Sequence, residues 1–251
     1  MATIKELELI HSKIYIEKIK LFCENGGGYI DSDTILSDKT FLVACQSAGA
    51  WLDGVDEVIN YNSAFILSRP PGHHAKKEGS MGFCIFSNAA LAAFYAIKKY
   101  NLKKIVIFDW DVHHGNGTQS IVESNPNISY ASIHQFPFYP GTGLQTEQGY
   151  YKNVLNIPIS AGLDSSNYLK LFDKYIIPFI KKNSPDLLII SAGFDAHKND
   201  PLASINLIAD DYAYMTSKCL NINSKILLGL EGGYNLKALA ECCVSVLNEL
   251  I

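Results

Sequence analysis

The sequence predicts an α/β fold, a mostly parallel β-sheet with helices on both faces, and three observations carry that expectation. Short, mostly apolar runs rich in β-branched residues recur at 64–67, 105–108, 128–133, 154–157, 187–191 and 226–230, which is how strands buried on both faces read. Longer segments with apolar residues near helical spacing lie between them, the pattern of crossover connections in a parallel sheet. Polar motifs stand directly after several of the runs, at the edge where open α/β sheets bind ligands.

Taken in order, the segment 4–23 carries Leu7, Leu9, Ile10, Ile14, Ile16, Ile19, Leu21 and Phe22 near helical spacing and stops at Gly26-Gly27-Gly28, which predicts one surface helix. Residues 29–39 are polar, with Asp31, Ser32, Asp33 and Ser37, and read as a loop; 40–60 reads as a second long helix. The strand at 64–67 and a helix at 87–100 precede the central strand 105–108. A short helix at 118–123, strands at 128–133 and 154–157, and a helix at 168–182 that runs through Pro178 follow. Strands 187–191 and 226–230, with helices 209–220 and 236–250, complete the set. No repeat, low-complexity segment or linker interrupts the chain, so 1–251 reads as one domain.

Composition narrows the function classes. A chain of 251 residues with 48% hydrophobic content fills one substantial core. The net charge of -4 is spread without basic blocks, which argues against nucleic acid as a partner and is compatible with a cationic substrate. Six cysteines without a C-x-x-C pair read as reduced core thiols of a cytoplasmic protein. The first ten residues lack a secretory pattern and no run approaches eighteen apolar residues, so no membrane span is expected.

The densest chemistry follows the strand 105–108. Asp109, Asp111 and His113 stand at spacings of two, so in extended chain they project to one side at the sheet edge. A carboxylate plus an imidazole at this spacing can hold a divalent ion through oxygen and nitrogen, and since three such ligands with an open position make a catalytic site, the third must come from elsewhere. The bland reading is that Asp109 and Asp111 cap the short helix behind them. After 64–67 come Arg69-Pro70-Pro71-Gly72-His73-His74, adjacent imidazoles suited to a general base and an electrostatic partner, or else a surface pair. After 187–191 comes Asp195, a third metal ligand or a helix cap. After 226–230 comes Glu231-Gly232-Gly233-Tyr234, a phenol able to donate to a developing oxyanion, or a turn tyrosine.

Those motifs, together with Gly82-Phe83-Cys84, Ser132-Ile133-His134 and Pro140-Gly141-Thr142-Gly143, resemble the zinc-dependent histone deacetylase family. The wording is closest to its class II and bacterial deacetylase-like branch, which includes acetylpolyamine amidohydrolases and acetoin-utilisation proteins. The resemblance implies an arginase/deacetylase-like three-layer fold and one catalytic Zn²⁺ held by Asp111, His113 and Asp195. It implies His74 as general base and later acid, His73 as its electrostatic support and Tyr234 as oxyanion donor. Asp109 matches the carboxylate that partners His73, and Asn116 stands where some relatives carry an aspartate that orients His74; an amide there makes His74 less basic. Gly82, Phe83 and Tyr139 match the acyl-lysine tunnel, with Tyr139 in place of the commoner phenylalanine, and Leu202 matches a residue at its rim, with Asp33 a further rim candidate. Asp109 and Ser132, with main-chain oxygens of Asp111, His113 and Ile133, resemble a structural K⁺ site.

The implied reaction is removal of an acetyl group from acetyl-lysine in a protein or from an acetylated polyamine or other small amine; a homo-oligomer is compatible with the sequence. One departure is large: the family carries a preceding amino-terminal section with a first core strand, which these 251 residues lack. From that follow two expectations, a slot or unpaired edges in the sheet, and the rival reading of a catalytically inactive scaffold. An arginase-like two-manganese site is disfavoured because a further aspartate at D-x-H-x-D spacing is replaced by Gly115.

Overall fold

The computed structural model describes residues 1–61 and 63–251. Six strands form one fully parallel sheet: β3 (Ser63–Ile66), β4 (Ile105–Asp109), β5 (Ile128–Gln135), β6 (Val154–Ile159), β7 (Leu187–Ala192) and β8 (Ile226–Leu230), in the order β3-β8-β7-β4-β5-β6. The most apolar runs take the interior of the sheet. β4 lies between β7 and β5, every one of its five residues buried, and its last residue Asp109 is in register with Ser191 on one side and Ser132 on the other.

Alternation along the strands separates two cores. Ile105 and Ile107 of β4, with Ile189 and Leu227, face a cluster built on α2 (Lys13–Glu24), α3 (Thr40–Tyr61) and α4 (Asn88–Tyr100). Val106 and Phe108, with Leu188, Ile190 and Leu228, face the opposite cluster, built on α6 (Ser165–Leu171), α7 (Ile177–Asn183), α8 (Ala209–Leu220) and α9 (Leu236–Leu250). Side chains that alternate across a pleat are thus buried twice, and helix–sheet–helix layering follows.

Several expectations need correction. The segment 4–23 is not one helix: α1 (Ile4–Leu7) ends, and α2 restarts with Ser12 as its cap, the hydroxyl accepting the Tyr15 N–H. Between them His11 is drawn inward, its Nε2 accepting the Ser87 N–H at 3.0 Å and its Nδ1 lying 3.2 Å from the Lys77 carbonyl. The loop 29–39 contains a minimal antiparallel pairing of β1 (Gly28–Tyr29) with β2 (Ile35–Leu36). The short helix, α5 (Asn116–Val122), begins two residues earlier than expected. Helix 168–182 is interrupted by a π-turn at Phe172–Ile176 directly before Pro178, whose missing N–H and ring break the ordinary α-ladder there. No slot opens among the described strands, because β3 pairs directly with β8; the unpaired ladder edges among them are the outer sides of β3 and β6.

Candidate active site

Asp111 and His113 follow β4 on a loop that bends at residues 111–113, and Asp195 arrives from β7 three residues past its end. His113 Nδ1 lies 3.1 Å from Asp111 Oδ1 and 3.1 Å from Asp195 Oδ2, and the three donor atoms fall within 4.8 Å of one another. Backbone groups hold the carboxylates from behind: Gly232 N–H donates to Asp111 Oδ2 at 2.8 Å and Val112 N–H to Asp195 Oδ1 at 2.9 Å. Gly232 has to be glycine, since an added Cβ would run into both carboxylates.

Electrostatics show what this cluster lacks. Burial, helped by the charge of Asp111, lifts the Asp195 carboxyl to about 7. Burial also works against ionisation of Asp111, but His73 and His113 overcome it and hold that carboxyl well below its ordinary range. The His113 imidazole is buried too, yet hydrogen bonds to Asp111 and Asp195 raise it to about 10. Both carboxylates therefore call for a positive charge at their shared point, which a proton on Nδ1 or a divalent cation can supply. A donor set of two oxygens and one nitrogen on a dry, backbone-braced frame fits a zinc ion with positions left open.

The adjacent imidazoles differ in their partners. His73 Nδ1 lies 3.1 Å from Asp109 Oδ2, an oxygen that also accepts the Tyr130 hydroxyl at 3.1 Å. Burial disfavours protonation of His73, but Asp111, Asp109 and Glu231 outweigh it and hold its pKa well above 6.5. His74 Nδ1 lies 2.8 Å from Asn116 Oδ1, so Nδ1 carries the proton and Nε2 keeps its lone pair. Burial and the neighbouring His73 charge hold His74 well below 6.5. With ring centroids 4.0 Å apart, one imidazole is thus kept charged and the other neutral.

A cavity of about 190 Å³ opens over these groups, lined by Asp33, His74, Gly82, Phe83, His113, Tyr139, Leu202 and Tyr234. Its mouth is half open, with Phe83 39%, Tyr139 37% and Leu202 44% exposed. Phe83 takes a left-handed φ of 66° after Gly82 at 56°, a costly backbone for a side-chain-bearing residue. The turn 31–34 clamps it: Asp33 Oδ1 accepts the Gly82 N–H at 3.1 Å and Thr34 Oγ1 the Phe83 N–H at 3.1 Å. Burial and the Asp33 carboxylate beside it push the Tyr139 phenol up. Tyr234 crosses from the far side, 6.1 Å from Phe83 between ring centroids, its phenol also pushed up by burial and by Asp195 and Asp111.

All the residues singled out from sequence therefore converge: eight line the cavity, and His73, Asp109, Asp111, Asn116 and Asp195 stand behind its inner wall. Three neighbours escaped sequence reasoning. Glu231, read only as the head of the Gly-Gly-Tyr motif, accepts the backbone N–H groups of Gly72 (2.6 Å) and His73 (3.1 Å) and the Ser191 hydroxyl (3.0 Å), fixing the histidine loop. Asp200 accepts from the backbone of Leu202 and Tyr234. Tyr130 braces Asp109. Only Asp200 had a local signal, an aspartate before proline in a loop.

This build defines a hydrolase of the deacetylase class, and comparison with known proteins gives the family. Residues 1–250 match the histone deacetylase domain, and the chain belongs to that family. It is 48% identical over 242 residues to the uncharacterized protein slr0245 of Synechocystis sp., covering 96% of this chain and 80% of that one. It is 36% identical over 255 residues to a probable deacetylase of Methanothermobacter thermautotrophicus, covering 100% and 77%, respectively. Histone deacetylase 15 of Arabidopsis thaliana is 36% identical over 262 residues, and this chain, 99% covered, spans 47% of its length. The crystal structure of the HDA15 HD domain superposes with a TM-score of 0.96 at 36% identity, covering 99% of this chain and 75% of that one.

Proposed function

We propose that the protein is a zinc-dependent amidohydrolase that removes an acetyl group from an N-acylated amine, acetyl-lysine in a protein or an acetylated polyamine or other small molecule. The observation that carries the reading is the convergence of Asp111 and Asp195 on His113, which lines the inner end of a narrow cavity walled by Phe83 and Tyr139. Held by those three ligands, zinc would supply Lewis-acid activation of the acyl carbonyl and of water.

The chain's own residues do the rest. Phe83 and Tyr139 take the alkyl stem of the acylated amine between their rings and exclude water. His74, neutral and with Nε2 free, takes the proton from the attacking water and returns it to the leaving nitrogen. His73, kept charged by Asp109, stabilises the negative charge that develops beside it. Tyr234 donates its hydroxyl proton in a hydrogen bond to the carbonyl oxygen as that oxygen becomes an oxyanion. Asn116 keeps the His74 tautomer that leaves Nε2 unprotonated. Asp109 and Ser132, neighbours across the β4–β5 ladder, together with the main-chain oxygens of Asp111, His113 and Ile133, would hold a structural K⁺ ion. Among the described residues no helix is long and apolar enough to cross a membrane.

Release of acetate from acetylated lysine peptides and acetylated polyamines, measured with and without a chelator, tests the reading. Chelator-sensitive turnover is expected; no turnover of any member by metal-loaded protein would favour the scaffold reading instead.

A further inference from the structure

A cavity larger than the one that holds the chemistry lies beside it. A groove of about 430 Å³ adjoins the tunnel, sharing Asp33 and Phe83 with its mouth, and its floor is apolar, formed by Ile35, Val43, Pro71 and Ile85. Arg69 stands on its wall. This is the chain's only arginine, set against twenty lysines. Among the described residues it makes no hydrogen bond and no ion pair, while Asp33, the acidic residue that shares the groove, accepts from Gly82 and Thr34 through Oδ1. The guanidinium is close enough to the tunnel for its charge to act on the Tyr234 phenol.

An unpaired planar cation above an apolar floor, continuous with a tunnel mouth, has a definite complement: a carboxylate on a short alkyl stem that reaches the groove while its neighbour fills the tunnel. We propose that the groove at Arg69 is a specificity subsite that selects acyl-lysine peptides carrying a glutamate within two residues of the acylated lysine. The proposal rests on the deacetylase reading for the group that anchors the peptide in the tunnel. A free acetylated polyamine fits the groove poorly, because its remaining ammonium groups would face the guanidinium.

Binding is measured by fluorescence anisotropy on the metal-loaded protein, with labelled acetyl-lysine peptides that carry glutamate or glutamine at each of the four flanking positions. At one position or more the glutamate peptide should bind about threefold to tenfold tighter than its glutamine twin, the range of a solvent-accessible charge-assisted contact. The ratio should shrink in 0.5 M salt by roughly the Debye argument for exposed charges. Arg69→Ala should bring it to about one while leaving glutamine-peptide affinity within about twofold, and Arg69→Lys should keep part of it, since the charge remains without the planar fork. A ratio near one at all four positions in the unmodified protein, or a ratio that survives Arg69→Ala, overturns the subsite. Should Arg69→Ala not fold, Arg69→Lys and the salt dependence decide in its place. Turnover of the glutamine peptides is scored separately: peptides that bind with the predicted ratio but are not cleaved would sink the deacetylase reading and leave the subsite standing.

Discussion

Asp200 ties Tyr234 to the rim of the tunnel. Its Oδ2 accepts the Tyr234 N–H at 2.7 Å and the Asn235 N–H at 3.3 Å, while its Oδ1 accepts the Leu202 N–H at 3.0 Å. One side chain thereby sets both Tyr234, the proposed oxyanion donor, and the outer lip. Because the hydroxyl must meet its target within a fraction of an ångström, Asp200→Ala should lower kcat roughly 10- to 100-fold with the metal retained, and Asp200→Asn less. Steady-state kinetics beside elemental analysis checks this; unchanged kcat in Asp200→Ala would remove Asp200 from the positioning role.

The metal prediction is sharper. Asp195→Ala deletes the oxygen opposite Asp111 and leaves His113 with one acidic partner, so the protein should lose its zinc and its turnover together. A full equivalent of zinc retained by Asp195→Ala would contradict the ligand set.

Tyr234→Phe removes only a hydroxyl, and one that the proposed mechanism uses in the transition state. Its kcat should fall by roughly 10²-fold or more while zinc content and peptide affinity stay put. Near-normal kcat would assign the oxyanion to another donor.

Substrate choice follows from the rim. Leu202 is half exposed at the mouth and carries no charge, so no carboxylate at this position rewards a secondary ammonium. Acetylspermidine should therefore show no strong preference over an acetyl-lysine peptide in kcat/KM. A hundredfold preference for the polyamine would point to Asp33, the carboxylate at the mouth, as a recognition group.

Much of this was legible in the sequence for one physical reason: in a parallel sheet the strands are buried on both faces, and the site begins where the apolar run stops. Asp109, Asp195 and Tyr234 could be placed from that alone. What stayed hidden depends on distant pairings. The apolar period of 4–23 continues across the break between α1 and α2, and only the long-range bonds of His11 to Lys77 and Ser87 reveal why the chain turns. Asp33 looked like a free rim carboxylate, yet its oxygen holds the strained Gly82–Phe83 backbone, a contact 49 residues away. Asp200 is a lone aspartate in a loop until Tyr234 folds against it.

His11 also supplies a prediction about acid. The Ser87 N–H donates to Nε2, so that nitrogen is unprotonated, and the proton sits on Nδ1 facing the Lys77 carbonyl. Burial keeps the ring neutral, lowering its pKa to about 4. Burial and the neighbouring His114 lower His134 to about 3, in the same direction. In the unfolded chain a histidine takes up its proton near pH 6.5. The unfolded state thus binds more protons than the folded one below pH 6.5, so the contribution of His11 is complete above 6.5 and is lost as pH falls towards 4. Across that window it amounts to about 3 kcal/mol. Urea midpoints between pH 7.5 and 4.5 should fall steeply, and His11→Gln, less stable at neutral pH but without a titrating ring, should fall less steeply. Parallel pH dependences for the two proteins would show that acid acts elsewhere.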